Sequence, residues 1–419
     1  MTPTTDFRLR VVPAISDVPA AAWDACANPQ IPADAQVICQ SGEPAAPQAE
    51  PKTQESPYNP FICHDFLRSL EESGSATARA GWQPQHVVLE QANGNVLGVA
   101  PCYLKSHSRG EYVFDRGWAE AYERAGGQYY PKLQVSVPFT PATGPRLLVR
   151  RGAPVESVRL GLTAGLIELC RRHEASGVHV TFMPEPEWEL LATQGFLQRT
   201  DQQFHWENAN YATFEAFLTA LSARKRKTIR RERRDALDNG ISVHWLTGRD
   251  LTEEAWDAFF EFYMETGSRK WGRPYLTRKF YSLIGERMAD RVVLIMAKRA
   301  GRWIAGAINF IGSETLFGRH WGAIEQHPFL HFEICYYQAI EFAIARGLKR
   351  VEAGAQGEHK LARGYMPVIT RSAHYIADPG LRRAIAEYLA RERAYVEAAG
   401  EELAAAAPFR KDLAEAEQE

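Results

Sequence analysis

The sequence has 419 residues, 45% of them apolar and 24% charged, with a formal net charge of −2; this is the composition of a soluble globular protein long enough for two cores. The near-neutral balance excludes bulk attraction to nucleic acid or anionic membrane, and no apolar run approaches the roughly 18 residues that cross a bilayer. Six scattered cysteines with no CxxC pair read as reduced thiols, and the opening MTPTTDFRLRVV lacks a signal-peptide pattern, so a cytoplasmic protein is expected.

In chain order, Arg8 to Val12 reads as a strand and Pro19 to Ala27 as a short helix. Residues 40–60, rich in Pro, Ala, Gln and Glu, read as a flexible insertion. Asn59 to Ser73 resumes as a helix. His86 to Leu89 and Val96 to Tyr103 read as strands joined at Ala92-Asn93-Gly94, and Glu111 to Phe114 as a third strand. A helix is expected from Val155 to Ser176, then a strand from Val178 to Phe182. From Phe204 the pattern restarts. One long helix is expected through Phe214, Phe217 and Leu221 to Gly240, and its second half is strongly basic. Strand, two helices and three strands follow, up to Arg319. Apolar spacing at Phe332, Cys335, Tyr336, Ala339, Ile340 and Ala343 predicts a helix stopped by Gly347. A short strand from Arg350 to Ala353, a polar turn, a strand from Arg371 to Ile376 and a long C-terminal helix complete the chain.

Two blocks of the chain correspond. VVLEQANGNVLGVAPCYL and VLIMAKRAGRWIAGAINFI each precede a helix and a further strand, and Gly98 aligns with Gly306, Trp118 with Trp321 and Gly177 with Gly347. One such unit resembles a single Gcn5-related acyltransferase domain. The expected fold is therefore α+β, two tandem Gcn5-related N-acyltransferase-like domains with mixed central sheets flanked by helices. Residues 1–203 form the first, residues 204–400 the second, which carries the site, and residues 401–419 an Ala/Glu-rich tail.

Three motifs resemble the FemAB-like proteins, a group of predicted N-acyltransferases related to peptidoglycan interpeptide-bridge enzymes. They are the basic run from Ser222 to Arg234 followed by Asn239-Gly240-Ile241; Trp321-Gly322-Ala323 with His331-Phe332-Glu333 and Val351-Glu352-Ala353-Gly354; and the segment Tyr129 to Thr140. The resemblance implies transfer of an acyl or aminoacyl group from an activated carrier to a primary amine. The acceptor would be a small molecule, a cell-wall precursor or a lipid, with peripheral contact at the inner membrane in the lipid case. The glycine-rich pyrophosphate loop of simple acetyltransferases is replaced by Glu325 to Leu330, so no bound cofactor is expected, and acyl-coenzyme A or another acyl carrier would act as co-substrate.

Acyl transfer needs a neutral amine, and a histidine or carboxylate near pKa 7 can take its proton. His331, Glu333 and Glu352 are the candidates, at the ends of a helix and a strand, and Lys360 is the candidate oxyanion stabiliser. Arg319, His320, Trp321, Gln356, His359 and Arg363 are expected to bind substrate, with Tyr130 and Lys132 from the first domain. Arg226, Lys227 and Arg230 on the basic helix are expected to hold phosphate. No metal is expected, because Pro328 disrupts the His327-x-x-x-His331 spacing. Nucleic acid other than tRNA is not expected, since no aromatic stacking pattern accompanies the basic run. The competing reading is a non-catalytic protein recognising cell-wall precursors or nucleotides through the same cleft.

Overall fold

The computed structural model describes residues 7–29, 57–270, 274–354 and 357–410. The insertion at 40–56, Trp271-Gly272-Arg273 and Gln356 lie outside the described residues. The first half runs β1 (Phe7–Val12), α1 (Ala20–Ala27), α2 (His64–Glu72), β2 (Trp82–Pro84), β3 (His86–Gln91), β4 (Val96–Ala100), β5 (Cys102–Lys105), α3 (Arg116–Arg124), β6 (Lys132–Val135), β7 (Leu148–Val149), α4 (Val155–Arg172), β8 (Gly177–Thr181) and α5 (Glu185–Thr193). β9 (Leu197–Glu207) leads into the second half: α6 (Phe214–Ala220), α7 (Ala223–Ala236), β10 (Ile241–Thr247), α8 (Glu253–Lys270), α9 (Arg278–Met288), β11 (Val292–Arg299), β12 (Arg302–Ile311) and β13 (Thr315–Ala323). A helix follows in three parts, α10 (Leu330–Phe332), a π-helical turn (Glu333–Tyr337) and α11 (Gln338–Ala345), then β14 (Arg350–Glu352), β15 (Met366–Ile376) and α12 (Pro379–Ala405).

Four strands form a small sheet in the order β1-β3-β4-β7, and eleven form one large mixed sheet in the order β10-β11-β12-β13-β14-β9-β15-β8-β6-β5-β2. The large sheet passes without a break from one half to the other. β9 pairs with β14 on one side and β15 on the other, and β15 in turn pairs with β8. The position 203 therefore lies inside β9, in the middle of the sheet. The core is also shared: Phe61 and Phe66 meet Phe310 at ring distances of 5.0 and 5.3 Å, and Phe61 meets Phe317 at 5.1 Å. Edge-to-face aromatic pairs of this kind add to burial and make the two halves one packing unit.

Each half contains one pair of parallel neighbours. Leu133–Val135 of β6 run beside Val178–Val180 of β8, and Thr315–Phe317 of β13 run beside Arg350–Glu352 of β14. In the second half the pairing ends at Glu352 while β13 continues to Ala323, so the two strands part. A parallel pair that stops at its carboxyl ends leaves a crevice there, the position where open mixed sheets place ligands.

Three local expectations are corrected. Residues 111–114 are irregular, not a strand, because Glu111 turns inward to a lysine and Tyr112 takes a left-handed φ of 60°. Trp118 consequently lies on α3 and has no counterpart role to Trp321 on β13. The single helix expected from Phe214 to Gly240 breaks at Leu221-Ser222 into α6 and α7, where Leu221 bridges to Phe409.

Candidate functional site

Glu352 is the last residue of β14, where β13 and β14 part. Its side chain is buried, and its Oε2 has no hydrogen-bond partner among the described residues. Burial pushes its pKa up to about 8, against the pull of Arg350, Arg319 and Arg146. His205 is its cross-strand partner on β9, with Nε2 3.9 Å from Glu352 Oε2. Burial holds His205 neutral, its pKa lowered to about 3. Glu352 is thus a carboxyl that is mostly protonated at pH 7 and ionises near pH 8.

Lys360 enters from the 3-10 turn Glu358–Arg363 that follows β14. It is buried, and its Nζ donates to Gly354 O at 2.8 Å. Burial lowers its pKa to about 8, with Cys335 pulling it back up. A buried carboxyl with a raised pKa and a buried amine with a lowered one, on β14 and on the turn that follows it, are residue types that acid–base chemistry uses.

Arg319 lies on β13 beyond the parting point. It donates to the Phe139 carbonyl of the first half and rests against the Tyr112 ring at 5.9 Å. Among the described residues no carboxylate comes within ion-pair distance of it. His320 packs against Tyr263 at 5.0 Å and is held neutral by burial, its pKa about 3. Arg319 and His320 close one end of a narrow aromatic slot between the halves, whose walls include Phe61, Phe139, Phe280 and Phe310. Phe139 stacks on Tyr275 at 4.9 Å.

The helix after β13 supplies an aromatic rim. Trp321 meets His331 at 5.2 Å, His331 meets Tyr336 at 5.4 Å, and the Tyr336 hydroxyl lies 2.9 Å from His359 Nε2. Arg363 covers the Phe332 ring at 3.5 Å. Trp321, His331 and His359 thus form one rim through Tyr336, with Arg363 over Phe332, while Glu352 and Lys360 lie at the end of β14 and on the turn after it, and Arg319 and His320 line the slot. The π-helical turn sits beneath them, at Glu333–Tyr337, and such turns recur at functional sites.

Other expected site residues are placed differently. Glu333 is fully buried and occupied: Arg233 donates to it through Nε and Nη2 at 2.9–3.2 Å, and Gln338 at 2.7 Å. It ties α7 to the helix and has no lone pair facing the cleft chemistry. Lys132 is buried in the first half, where Asp115 and Glu111 (2.7 Å) accept from it and Lys105 stands opposite on β5. Its ammonium is taken up by these first-half partners. Tyr130 is half-buried, its hydroxyl 2.8 Å from Ser108. Arg230 pairs with Glu215 at 2.6 Å, while Arg226 and Lys227 follow the outer side of α7. Gln356 lies outside the described residues. His205 and Tyr112 belong to the site and were not expected from the sequence. Among the described residues no group of three or more His, Cys, Asp or Glu side chains is placed to hold a metal ion, and no helix is long and apolar enough to cross a membrane.

A family model for FemAB-like proteins, described as peptidoglycan biosynthesis/recognition, matches residues 14–411. No curated relative matches the chain. Solved structures with a similar fold include FemX (12% identity, covering 75% of this chain and 93% of that one, TM-score 0.48). A tandem GNAT protein from the clavulanic acid biosynthesis pathway shows 13% identity, covers 89% of this chain and 99% of its own, with a TM-score of 0.43. L-PGS from Bacillus licheniformis shows 11% identity, covers 81% and 99%, with a TM-score of 0.46.

Proposed function

The chain belongs to the FemAB-like family, and on that premise we propose that it is an N-acyltransferase working in the crevice between β13 and β14. The observation that carries the proposal is Glu352, buried with its Oε2 unpartnered and its pKa raised to about 8, at the point where β13 and β14 part, with buried Lys360 anchored to the Gly354 carbonyl on the segment that follows. A primary ammonium entering the crevice gives a proton to the ionised Glu352 carboxylate. The free amine attacks the carbonyl carbon of the activated acyl group, a C–N bond forms, the bond from that carbon to the carrier breaks with its electron pair going to the carrier's sulfur or oxygen, and the second amine proton leaves with the carrier. The Lys360 ammonium offsets the charge on the carbonyl oxygen in between. Burial keeps Glu352 basic, and His205, held neutral, stands 3.9 Å from it without adding a charge. Glu333 has no place in this scheme, and His331 forms part of the aromatic wall that excludes water.

Arg319 and His320 on β13 face the acceptor, with Trp321, His359 and Arg363 on the rim. The donor, acyl or aminoacyl, arrives on a phosphate-bearing carrier. The acceptor is a peptidoglycan precursor, an amino acid or a lipid amine, in keeping with the family description. The test is mass spectrometry of amide products from a matrix of acyl-coenzyme A thioesters, acylated carrier protein and charged tRNA against amines of these three kinds. An amide that forms with the native protein and not with Glu352→Gln supports the proposal. No amide from any pair overturns it.

A further inference from the structure

Beside the crevice, a second opening lies between α7 and the turn that carries Lys360. It has a volume of about 340 Å³, on the order of ten waters' worth of space. Arg224, Lys225 and Thr228 line it from α7, Tyr337 from the π-helical turn, and Arg363 from the opposite side, with Glu232 at its floor. Glu232 is satisfied from within: Arg363 Nη2 donates to both its oxygens at 3.0 and 2.9 Å, and the Tyr337 hydroxyl donates to Oε2. Arg363 is itself more than nine-tenths buried, and its Nε has no hydrogen-bond partner. Among the described residues, neither Arg224 nor Lys225 has a carboxylate partner. Three cations against one carboxylate leave the opening with a net charge of +2.

We infer that this opening is a binding site for a phosphate dianion, a phosphate monoester or a pyrophosphate. A phosphate ester carries about −1.5 to −2 charge near neutrality, which matches the excess of the lining. Arginine forks and a lysine point charge are the side chains that bind such groups. The Arg363–Glu232 pair fixes the inner wall, so the outer two cations are the ones left for a ligand. The site lies on a different face of the helix from the expected one: positions 224, 225 and 228 line the opening, whereas Arg226 and Lys227 do not and Arg230 is engaged by Glu215. Arg363 and Lys360 share one turn, so a phosphate held here places its carrier next to the crevice. This last step rests on the acyl-transfer proposal; the binding of phosphate does not.

Calorimetric titration of the full chain with inorganic pyrophosphate at low ionic strength tests the site without any turnover. Saturable 1:1 binding is expected, weakened at least tenfold by Arg224→Glu or Lys225→Glu and by less than about threefold by Arg226→Glu or Lys227→Glu. Lys225→Ala, which reverses no charge, is expected to weaken binding in the same direction and guards against misfolding of the reversed variants. Equal losses on both sides of the helix would overturn the site in favour of a diffuse field, and absence of saturable binding would overturn it outright. Adenosine 3′,5′-bisphosphate and vesicles containing phosphatidylglycerol separate the sources. Competition of either with pyrophosphate supports the site and names a soluble carrier or a lipid headgroup. Vesicle binding without pyrophosphate binding overturns it. If pyrophosphate binds as expected and no amide is ever formed, the site stands and the acyl-transfer proposal falls.

Discussion

Glu352 faces His205 across the β14–β9 pairing, with 3.9 Å between carboxylate oxygen and imidazole nitrogen and no hydrogen bond to that oxygen from any described residue. A buried carboxyl without a donor costs stability and is retained where the raised basicity is used.

The first prediction concerns that cost. The folded pKa of Glu352 is raised, so its contribution to stability is fully present below the ordinary carboxyl pKa near 4.5 and is lost as pH rises to about 8. Glu352→Gln should therefore leave stability nearly unchanged at pH 4 and raise it by a few kcal/mol, at most about 4, at pH 8, while turnover falls at least a hundredfold. Urea unfolding at the two pH values, with an acyl-transfer assay beside it, checks both halves.

Turnover itself should follow a bell centred near pH 8. The rising limb is ionisation of Glu352 and the falling limb is loss of the Lys360 proton, each at about 8. Lys360→Met should remove the falling limb and lower kcat at least a hundredfold. It should hold or raise the melting temperature, because the substitution removes a buried amine with a single carbonyl acceptor. A fully active Lys360→Met variant would remove this residue from the mechanism.

Glu333 is expected to behave oppositely. Its carboxylate holds Arg233 between α7 and the helix, and Glu333→Ala leaves that guanidinium with Glu341 alone. The loss should be about 2–4 kcal/mol by denaturant unfolding. At temperatures where the variant is folded, the pH–rate profile should keep its shape.

The buried cluster of the first half makes a fourth test. Lys132 bonds Asp115 and Glu111; its own pKa is held above the usual lysine range, and that of Asp115 well below the usual carboxylate range. Lys132→Met should cost about 3–5 kcal/mol at pH 7 by leaving two carboxyls without their main donor. The cost should shrink toward acid pH, where the carboxylates of the unfolded chain also take up protons, and unfolding at pH 4 and pH 7 would show the difference.

The stretch from Phe317 to Pro367 was legible because its elements are local: an apolar stripe with a glycine stop and short strands between polar turns place Glu352 and Lys360 at element ends. What stayed hidden is long-range. Glu333 and Arg233 are 100 positions apart, and nothing in either neighbourhood marks them as partners. His205 sits in β9, a strand the sequence reading did not expect, and its place beside β14 is set by pairing with residues about 150 positions away. Residues 111–114 have strand composition, yet the pull of Lys132 on Glu111 decides their path. The basic run was visible, but which side of it meets a cavity depends on Arg363, more than a hundred residues later.

The place of β15 sets an order on synthesis. Among the described residues β8 lies between β6 and β15, and β15 ends at Ile376. Until that segment leaves the ribosome, β8 and β9 each keep an open edge, and the alternating apolar rows of two strands stay exposed to neighbouring nascent chains. The ribosome thus finishes most of the protein before either half can close, and a fragment ending at residue 203 would carry that unfinished edge permanently.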